Sequence, residues 1–487
     1  MCFRCQYERS CSVAETTRAK LYDDHEPSGP KIEGEVALGL EESGYSGLVL
    51  SKLSAAHVKI GDRIAVSLKD YEYSGVLMPR AQIGTDPDHV VIKMDNGYNA
   101  GIRIESGTTV RLVQTASSRK RPISEVSVSE KPGLPSVAVL STGGTIASKV
   151  DYHTGAVNPA LSAKDLYDAV PELKDHANVR ARVIMSVLSE NIQPEDWTRI
   201  ARAIALEIKH GADGVVVPHG TDTLALTSAA LSFALQELPI PVVLVGSQRS
   251  SDRPSSDAAM NLIGATELAC RADAAEVMVA MHGESDDSFI YAHRGTRVRK
   301  CHTSRRDAFQ SVNCSPLFKI DTKGITEISA PIRRRDRNRS LRLKPLFDQT
   351  VALVKTYPGI STGIIDSLTD AGYRGVVMEG TGLGHAPERI HPAMKRAIDA
   401  GVVIVMTSQC IWGRVNMNVY RPGVEMLQMG VIPCEDMLPE TALVKLMWLL
   451  ANKKSVDEVR TAIAQNLVGE IGTRTEIEAG HGRTEVG

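Results

Sequence analysis

Aromatic side chains make up only 4% of this 487-residue chain, so its core must rest on Val, Ile, Leu, Ala and Met. Long apolar runs are also missing. The longest candidate, residues 443–451, is interrupted by Lys445 and falls well short of the ~20 residues that span a bilayer. The first thirty residues carry Arg4, Glu8, Arg9, Glu15, Arg18 and Lys20, with no apolar stretch of the signal-peptide kind. Eight cysteines over such a length do not make a disulfide framework, and the expected setting is the reducing cytoplasm. Cys2 and Cys5 form a CxxC with Cys11 nearby, but no second Cys or His pair follows at zinc-site spacing. No metal is expected there, and the segment reads as an extension carrying free thiols. Neither charge sign dominates. A formal net charge of −2 gives no global attraction for nucleic acid, so any RNA contact must come from a local patch or a partner. No GxxxxGK[ST] occurs, which leaves the chain without a recognisable ATP loop.

What is present is a soluble, multidomain composition, with 43% hydrophobic and 23% charged residues. Residues 58–113 alternate apolar and polar positions in four or five short runs. The runs are separated by Lys69-Asp70, Thr85-Asp86-Pro87-Asp88 and Asp95-Asn96-Gly97, the last a hairpin signal. A small SH3-like β-barrel is expected. Residues 117–134, rich in Ser, Lys, Arg and Pro, read as a linker. Beyond Pro135 continuous apolar runs alternate with helical patterns near 163–169, 195–209, 224–235 and 258–270, as in a parallel sheet buried on both faces. In the second of these, Trp197, Ile200, Ala201, Ile204 and Ile208 recur at helical spacing. A basic run from Arg333 to Arg339 then separates off a smaller α/β unit with strands at 351–357, 375–380 and 402–408 and a helix at 441–450. The boundaries expected are 1–45 extension, 46–116 β-barrel, 117–134 linker, 135–330 first α/β domain, 331–345 basic linker, 346–470 second α/β domain and 471–487 tail.

Open α/β sheets bind ligands where strand ends meet the following helices. One such junction is Ser141-Thr142-Gly143-Gly144-Thr145-Ile146-Ala147, where two glycines let the backbone turn sharply and bring N–H groups and a hydroxyl close to a bound group. Another is Pro218-His219-Gly220-Thr221-Asp222-Thr223. Either could be an ordinary turn, and Thr221 or Asp222 could serve simply as a helix cap. A hydroxyl becomes a nucleophile only when a base takes its proton. Asp222 offers a carboxylate, and Lys300 offers an amine whose proton burial can loosen.

The motif pair STGGTIA and PHGTDT resembles the signatures of the bacterial-type L-asparaginase family, and the resemblance runs from about residue 135 to 469. Within that family, RGTRVRKCHTSRRDAF, EGTGLGH, SQCIWGRVNMNVY and GVIPCEDMLPETA are similar to the group formed by the D subunits of archaeal glutamyl-tRNA(Gln) amidotransferases. YSGVLMPR and DNGYNAGI in the β-rich front end are similar to that group's extra domain. The resemblance implies a two-domain asparaginase-like parallel-sheet architecture behind the small β-barrel. It implies Thr145 as the nucleophile of an acyl-enzyme, with Tyr152 hydrogen-bonded to it, and a relay of Thr221, Asp222 and Lys300. Ser189 and Glu190 would hold the substrate's α-amino and carboxylate ends, with N–H groups near Gly144 and Thr221 forming an oxyanion hole. Acidic groups supplied by a neighbouring subunit in the free enzymes align with no particular segment here.

The function so implied is the amidase half of a carbon–nitrogen ligase, hydrolysing Asn or Gln to supply ammonia for converting Glu-tRNA(Gln) to Gln-tRNA(Gln). The implied partners are the amidotransferase's E subunit and, through the complex, the tRNA, with a homodimer core inside a heterotetramer. ATP and Mg would be used by the complex at the partner, and no cofactor is expected on this chain. A free cytoplasmic L-asparaginase is the alternative. A non-catalytic assembly subunit fits poorly with an intact Thr145, Thr221, Asp222 and Lys300 set. Gly359-Ile360-Ser361-Thr362-Gly363 matches the GxSxG elbow but reads as a strand-to-helix turn with a cap. Gly380-Thr381-Gly382-Leu383-Gly384 lacks the spacing of a dinucleotide fingerprint, and the basic run reads as a solvated linker.

Overall fold

The computed structural model describes residues 43–69, 71–79, 87–94, 99–115, 131–143, 148–150, 157–159, 166–167, 170–249, 256–329 and 331–474. The cysteines at 2, 5 and 11, the Asn96-Gly97 turn, most of the 117–134 linker and most of the helix expected at 163–169 lie outside them. Among the described residues, no helix is long and apolar enough to cross a membrane.

The front unit is a five-stranded antiparallel sheet in the order β4-β3-β2-β1-β5. Its strands are β1 (Arg63–Ser67), β2 (Glu72–Leu77), β3 (His89–Lys93), β4 (Asn99–Arg103) and β5 (Thr109–Gln114). Period-two alternation sends Ile64, Val66, Leu77, Val90, Ile92 and Ile102 to one face. A helix the sequence pattern did not announce, α1 (Gly47–Ala55), covers that face with Val49 and Leu53, one turn apart. A Cβ on Gly75 would lie 2.4 Å from the Lys93 carbonyl oxygen, so only glycine lets β2 lie this close to the end of β3.

The next unit carries an eight-stranded mixed sheet. Its parallel part joins β6 (Ser136–Ser141), β7 (Asn178–Val183), β8 (Gly214–Pro218), β9 (Val242–Val245) and β10 (Val277–His282). The pairings run β7-β6-β8-β9-β10. Beyond β10 the sheet continues antiparallel through β11 (Ile290–Arg294), then Phe318–Asp321 and Gly324–Glu327. A separate hairpin pairs β12 (Val298–Lys300) with β13 (Phe309–Ser311). The expected helices form as α2 (Pro194–Lys209), α3 (Leu224–Ala234) and α4 (Ala258–Arg271). A capping box between Gln193 and Asp196, with proline in the first turn, starts α2 where the pattern places it.

The third unit is a four-stranded parallel sheet of β14 (Val351–Lys355), β15 (Gly375–Gly380), β16 (Val403–Ser408) and β17 (Ile432–Pro433). Its closing helix, α5 (Pro439–Asn452), lies against α3. That contact explains why α3 is buried along most of its length, its Thr227, Ser228 and Ser232 hydroxyls included: both units cover it. Phe233 and Trp448 stack there at 5.8 Å between ring centroids. Buried Arg297, just ahead of β12, reaches across to the Asp436 carboxylate at 3.1 Å and to the Gly469 carbonyl at 3.1 Å. The basic run is solvated only in part: Arg334 and Arg337 are exposed, whereas Arg335 is held by the fold. Arg335 donates to the carbonyls of Asp213 (2.7 Å), Ala269 (3.0 Å), Cys270 (3.2 Å) and Ala272 (3.1 Å). It thereby caps the open carbonyls and negative end of α4.

Candidate active site

The carboxyl ends of β6 and β8 are neighbours, and Thr142 ties them together. Its N–H and its hydroxyl both donate to the Pro218 carbonyl, at 3.1 and 3.0 Å. Gly143 follows at φ +114°, and a Cβ there would sit 2.6 Å from the Val187 carbonyl oxygen. Glycine is therefore required twice over, by conformation and by space. Gly144, Thr145 and Tyr152, the remaining candidates from this turn, lie outside the described residues.

The second turn, between β8 and α3, is described in full. Lys300, the last residue of β12, donates from Nζ to Thr221 Oγ1 at 2.9 Å and to Asp222 Oδ1 at 2.8 Å. The lysine side chain is 15% exposed and the aspartate 64%, so the ammonium sits in the wall while the carboxylate opens to solvent. Seventy-nine residues separate Thr221 from Lys300 along the chain, and the β12–β13 hairpin closes that gap.

Ser189 joins them from a single 3₁₀ turn, Ser189–Asn191. It is buried, its hydroxyl accepts from the Asp222 N–H at 3.3 Å, and its carbonyl accepts from the Thr223 hydroxyl at 2.6 Å. A Cβ on Gly220 would lie 2.7 Å from Ser189 Cβ, so the glycine is what admits this approach. Glu190, next along the turn, is exposed. Ser189, Thr221, Asp222 and Lys300 are thus brought together by hydrogen bonds, while Glu190 is present only as the neighbour of Ser189.

Two supports under the site were not singled out in the sequence. His219 is buried beneath the turn, and burial lowers its pKa to about 4. Asp257, also buried, accepts from the backbone N–H groups of Gln248 and Arg249 at 2.9 Å each and from Asn261 Nδ2 at 3.0 Å. It thereby fixes the loop after β9, whose Gly246 packs on the Thr221 methyl. A cavity of about 720 Å³ lined by Arg294, Arg297 and Arg333 opens where β10 begins, at the opposite end of the strand from the site, and none of the four gathered residues lines it. Ser361 of the GxSxG decoy is exposed and accepts from the Gly363 N–H at 3.2 Å, a local turn bond.

Residues 136–333 match the family described as asparaginase, N-terminal, and residues 350–463 match the glutaminase/asparaginase C-terminal domain. The solved thermostable L-asparaginase from Thermococcus kodakarensis superposes with a TM-score of 0.63 at 35% identity, covering 70% of this chain and 100% of that one. L-asparaginase I from Vibrio cholerae gives 0.61 at 30% identity, covering 70% and 99%. Residues 58–113 match the GatD N-terminal domain. The D subunit of glutamyl-tRNA(Gln) amidotransferase from Pyrococcus abyssi is 48% identical over 430 residues, 88% of this chain and 98% of the relative. The chain belongs to the family of glutamyl-tRNA(Gln) amidotransferase D subunits. The corresponding protein of Methanothermobacter thermautotrophicus is also 48% identical, over 433 residues. Matches extending over nearly the full length of these relatives take in the front β unit as well as the two α/β units.

Proposed function

We propose that this chain is the amidase subunit of a tRNA-dependent amidotransferase, releasing ammonia from Asn or Gln for conversion of Glu-tRNA(Gln) to Gln-tRNA(Gln). The observation that carries the reading is the Lys300 clamp on Thr221 and Asp222, inside a chain whose family relatives are amidotransferase subunits. An isolated hydroxyl at pH 7 is a poor nucleophile, and a lysine held by a carboxylate gives the site a path for moving its proton.

In this reading Thr145 attacks the side-chain amide carbon, with Tyr152 hydrogen-bonded to its hydroxyl. The tetrahedral oxyanion is met by N–H groups near Gly144 and Thr221, each donor worth about 3 kcal/mol. Collapse delivers the proton given up by the Thr145 hydroxyl to the amide nitrogen, so that ammonia leaves and a threonyl ester remains. Water, activated through Thr221 and Lys300, then hydrolyses the ester to aspartate or glutamate. Lys300 donates to Thr221 Oγ1 when charged and accepts the Thr221 proton along the same 2.9 Å contact when neutral. Asp222 accepts from the Lys300 ammonium and, with Ser189 and Glu190, holds the substrate's α-amino and carboxylate groups.

ATP and Mg chemistry is assigned to the amidotransferase's E subunit as partner, with a homodimer core in a heterotetramer and the cytoplasm as the setting. The expected domain boundaries, including the 46–116 β unit as a separate domain, belong to the same proposal. Purified Thr145→Ala tests the nucleophile: ammonia release from Asn and Gln should fall by more than about a thousandfold with the fold intact. Activity within tenfold of the unmodified protein contradicts the assignment.

A further inference from the structure

His219 lies one residue before the turn that carries Thr221, and its ring is enclosed by β8, α2 and α3. A chain of three hydrogen bonds, two of them made by the ring, runs in one direction. Trp197 Nε1 donates to Thr227 Oγ1 at 3.1 Å. Thr227 Oγ1 lies 2.9 Å from His219 Nε2, and His219 Nδ1 lies 2.6 Å from the Gly220 carbonyl oxygen. The proton positions follow from chemistry. An indole N–H can only donate and a carbonyl can only accept, so Nδ1 must carry a proton. Burial keeps the ring neutral, so with the proton on Nδ1 the Nε2 atom is bare and accepts from the Thr227 hydroxyl, which itself accepts from Trp197. The ring is therefore held as the Nδ1–H tautomer, its pKa lowered to about 4 by burial.

The consequence lies one peptide further on. In a trans peptide the C=O and N–H point in opposite directions. Holding the Gly220 carbonyl against the ring therefore aims the Thr221 N–H away from it. Among the described residues that N–H donates to no acceptor, whereas the Asp222 N–H next to it is taken by Ser189. A buried histidine spends its one donor on keeping this peptide in one orientation.

We infer that His219 is a positioning residue for the amidase reaction: through the Gly220 carbonyl it fixes the Thr221 N–H as a preorganised donor to the oxyanion. This rests on the reading of the site given above. A misaligned oxyanion donor lowers kcat and leaves ground-state binding largely alone, because the donor matters most once charge has developed.

Two substitutions separate positioning from packing. In His219→Asn the amide nitrogen stands the same number of bonds from Cα as Nδ1 and can still donate to Gly220. In His219→Gln the amide reaches the Nε2 position instead and cannot. The expected result is kcat within about threefold of the parent for His219→Asn, and a loss of roughly 10²-fold for His219→Gln with KM changed less than about threefold. Equal kcat losses in both variants, or a loss carried by KM, overturn the inference. Thr221→Ala, assayed beside them, tests the underlying reading: if it stays active the site assignment fails, and if it is inactive while Asn and Gln behave alike only the His219 role fails. A measurement on the unmodified chain avoids dependence on folding of the variants. Ring ¹⁵N shifts of selectively labelled histidine should show His219 protonated at Nδ1 alone from pH 5.5 to 8. An Nε2–H tautomer, or titration within that range, overturns it.

Discussion

Thr221 and Lys300 illustrate what single residues disclosed. The hydroxyl was legible only in company: Thr-Asp-Thr after a glycine turn is ordinary cap chemistry, and it was the second hydroxyl-rich turn, STGGTIA, at another strand end that set Thr221 apart. The lysine, beside Arg297 and Arg299, was locally one more exposed cation; chemistry made it a candidate amine, and the resemblance gave it its place in the relay. Its place 2.9 Å from Thr221 depends on a hairpin fold that no local pattern encodes. His219 was missed for a related reason: a histidine beside a glycine turn shows nothing in sequence of the Thr227 and Trp197 side chains that fix its tautomer. If Thr221 and Lys300 work as one relay, Thr221→Ala and Lys300→Ala should each cost about as much as the double variant, because removing either breaks the same path. Steady-state ammonia release by the three proteins decides it. Rate losses that multiply in the double variant mean that the lysine acts independently of Thr221.

Elements were legible where period and caps agreed. Helix α2 begins within a residue of its expected start, because proline and an acidic first turn coincide with an apolar stripe. The buried strands β8, β9, β10 and β16 are built on runs of valine, leucine, isoleucine and methionine, as strands covered on both faces must be. Helix α1 and the antiparallel strands beyond β10 were not, since their patterns are short and their partners distant. The basic run shows how tertiary structure overrides composition: charge density reads as solvated, yet the Arg335 guanidinium is consumed in capping α4. Between elements, Arg297 and Asp436 are both buried and bind the β12 hairpin to the segment ahead of α5. Asp436→Ala leaves a buried guanidinium with backbone partners alone and should destabilise the chain by about 3–5 kcal/mol. Urea midpoints of parent and variant measure this, and a shift worth less than about 1 kcal/mol contradicts a structural role for the pair.

At the scale of the whole molecule, three units follow one another along the chain: a small antiparallel sheet and two α/β units that share a core around α3 and α5. The α/β pair resembles free L-asparaginases, whereas the matched front domain is the one described as the GatD N-terminal domain. A chain that only hydrolysed Asn or Gln would release ammonia at a rate indifferent to RNA. An amidase coupled to an amidotransferase responds to a partner carrying charged tRNA, since linkage requires that binding at one site and competence at another favour a common state. The most direct measurement is ammonia release by the full-length chain combined with its amidotransferase partner, with and without Glu-tRNA(Gln). The account predicts that release rises when charged tRNA is added and that Gln-tRNA(Gln) appears in step with it. An unchanged rate with no amidated tRNA contradicts the account and leaves a free asparaginase.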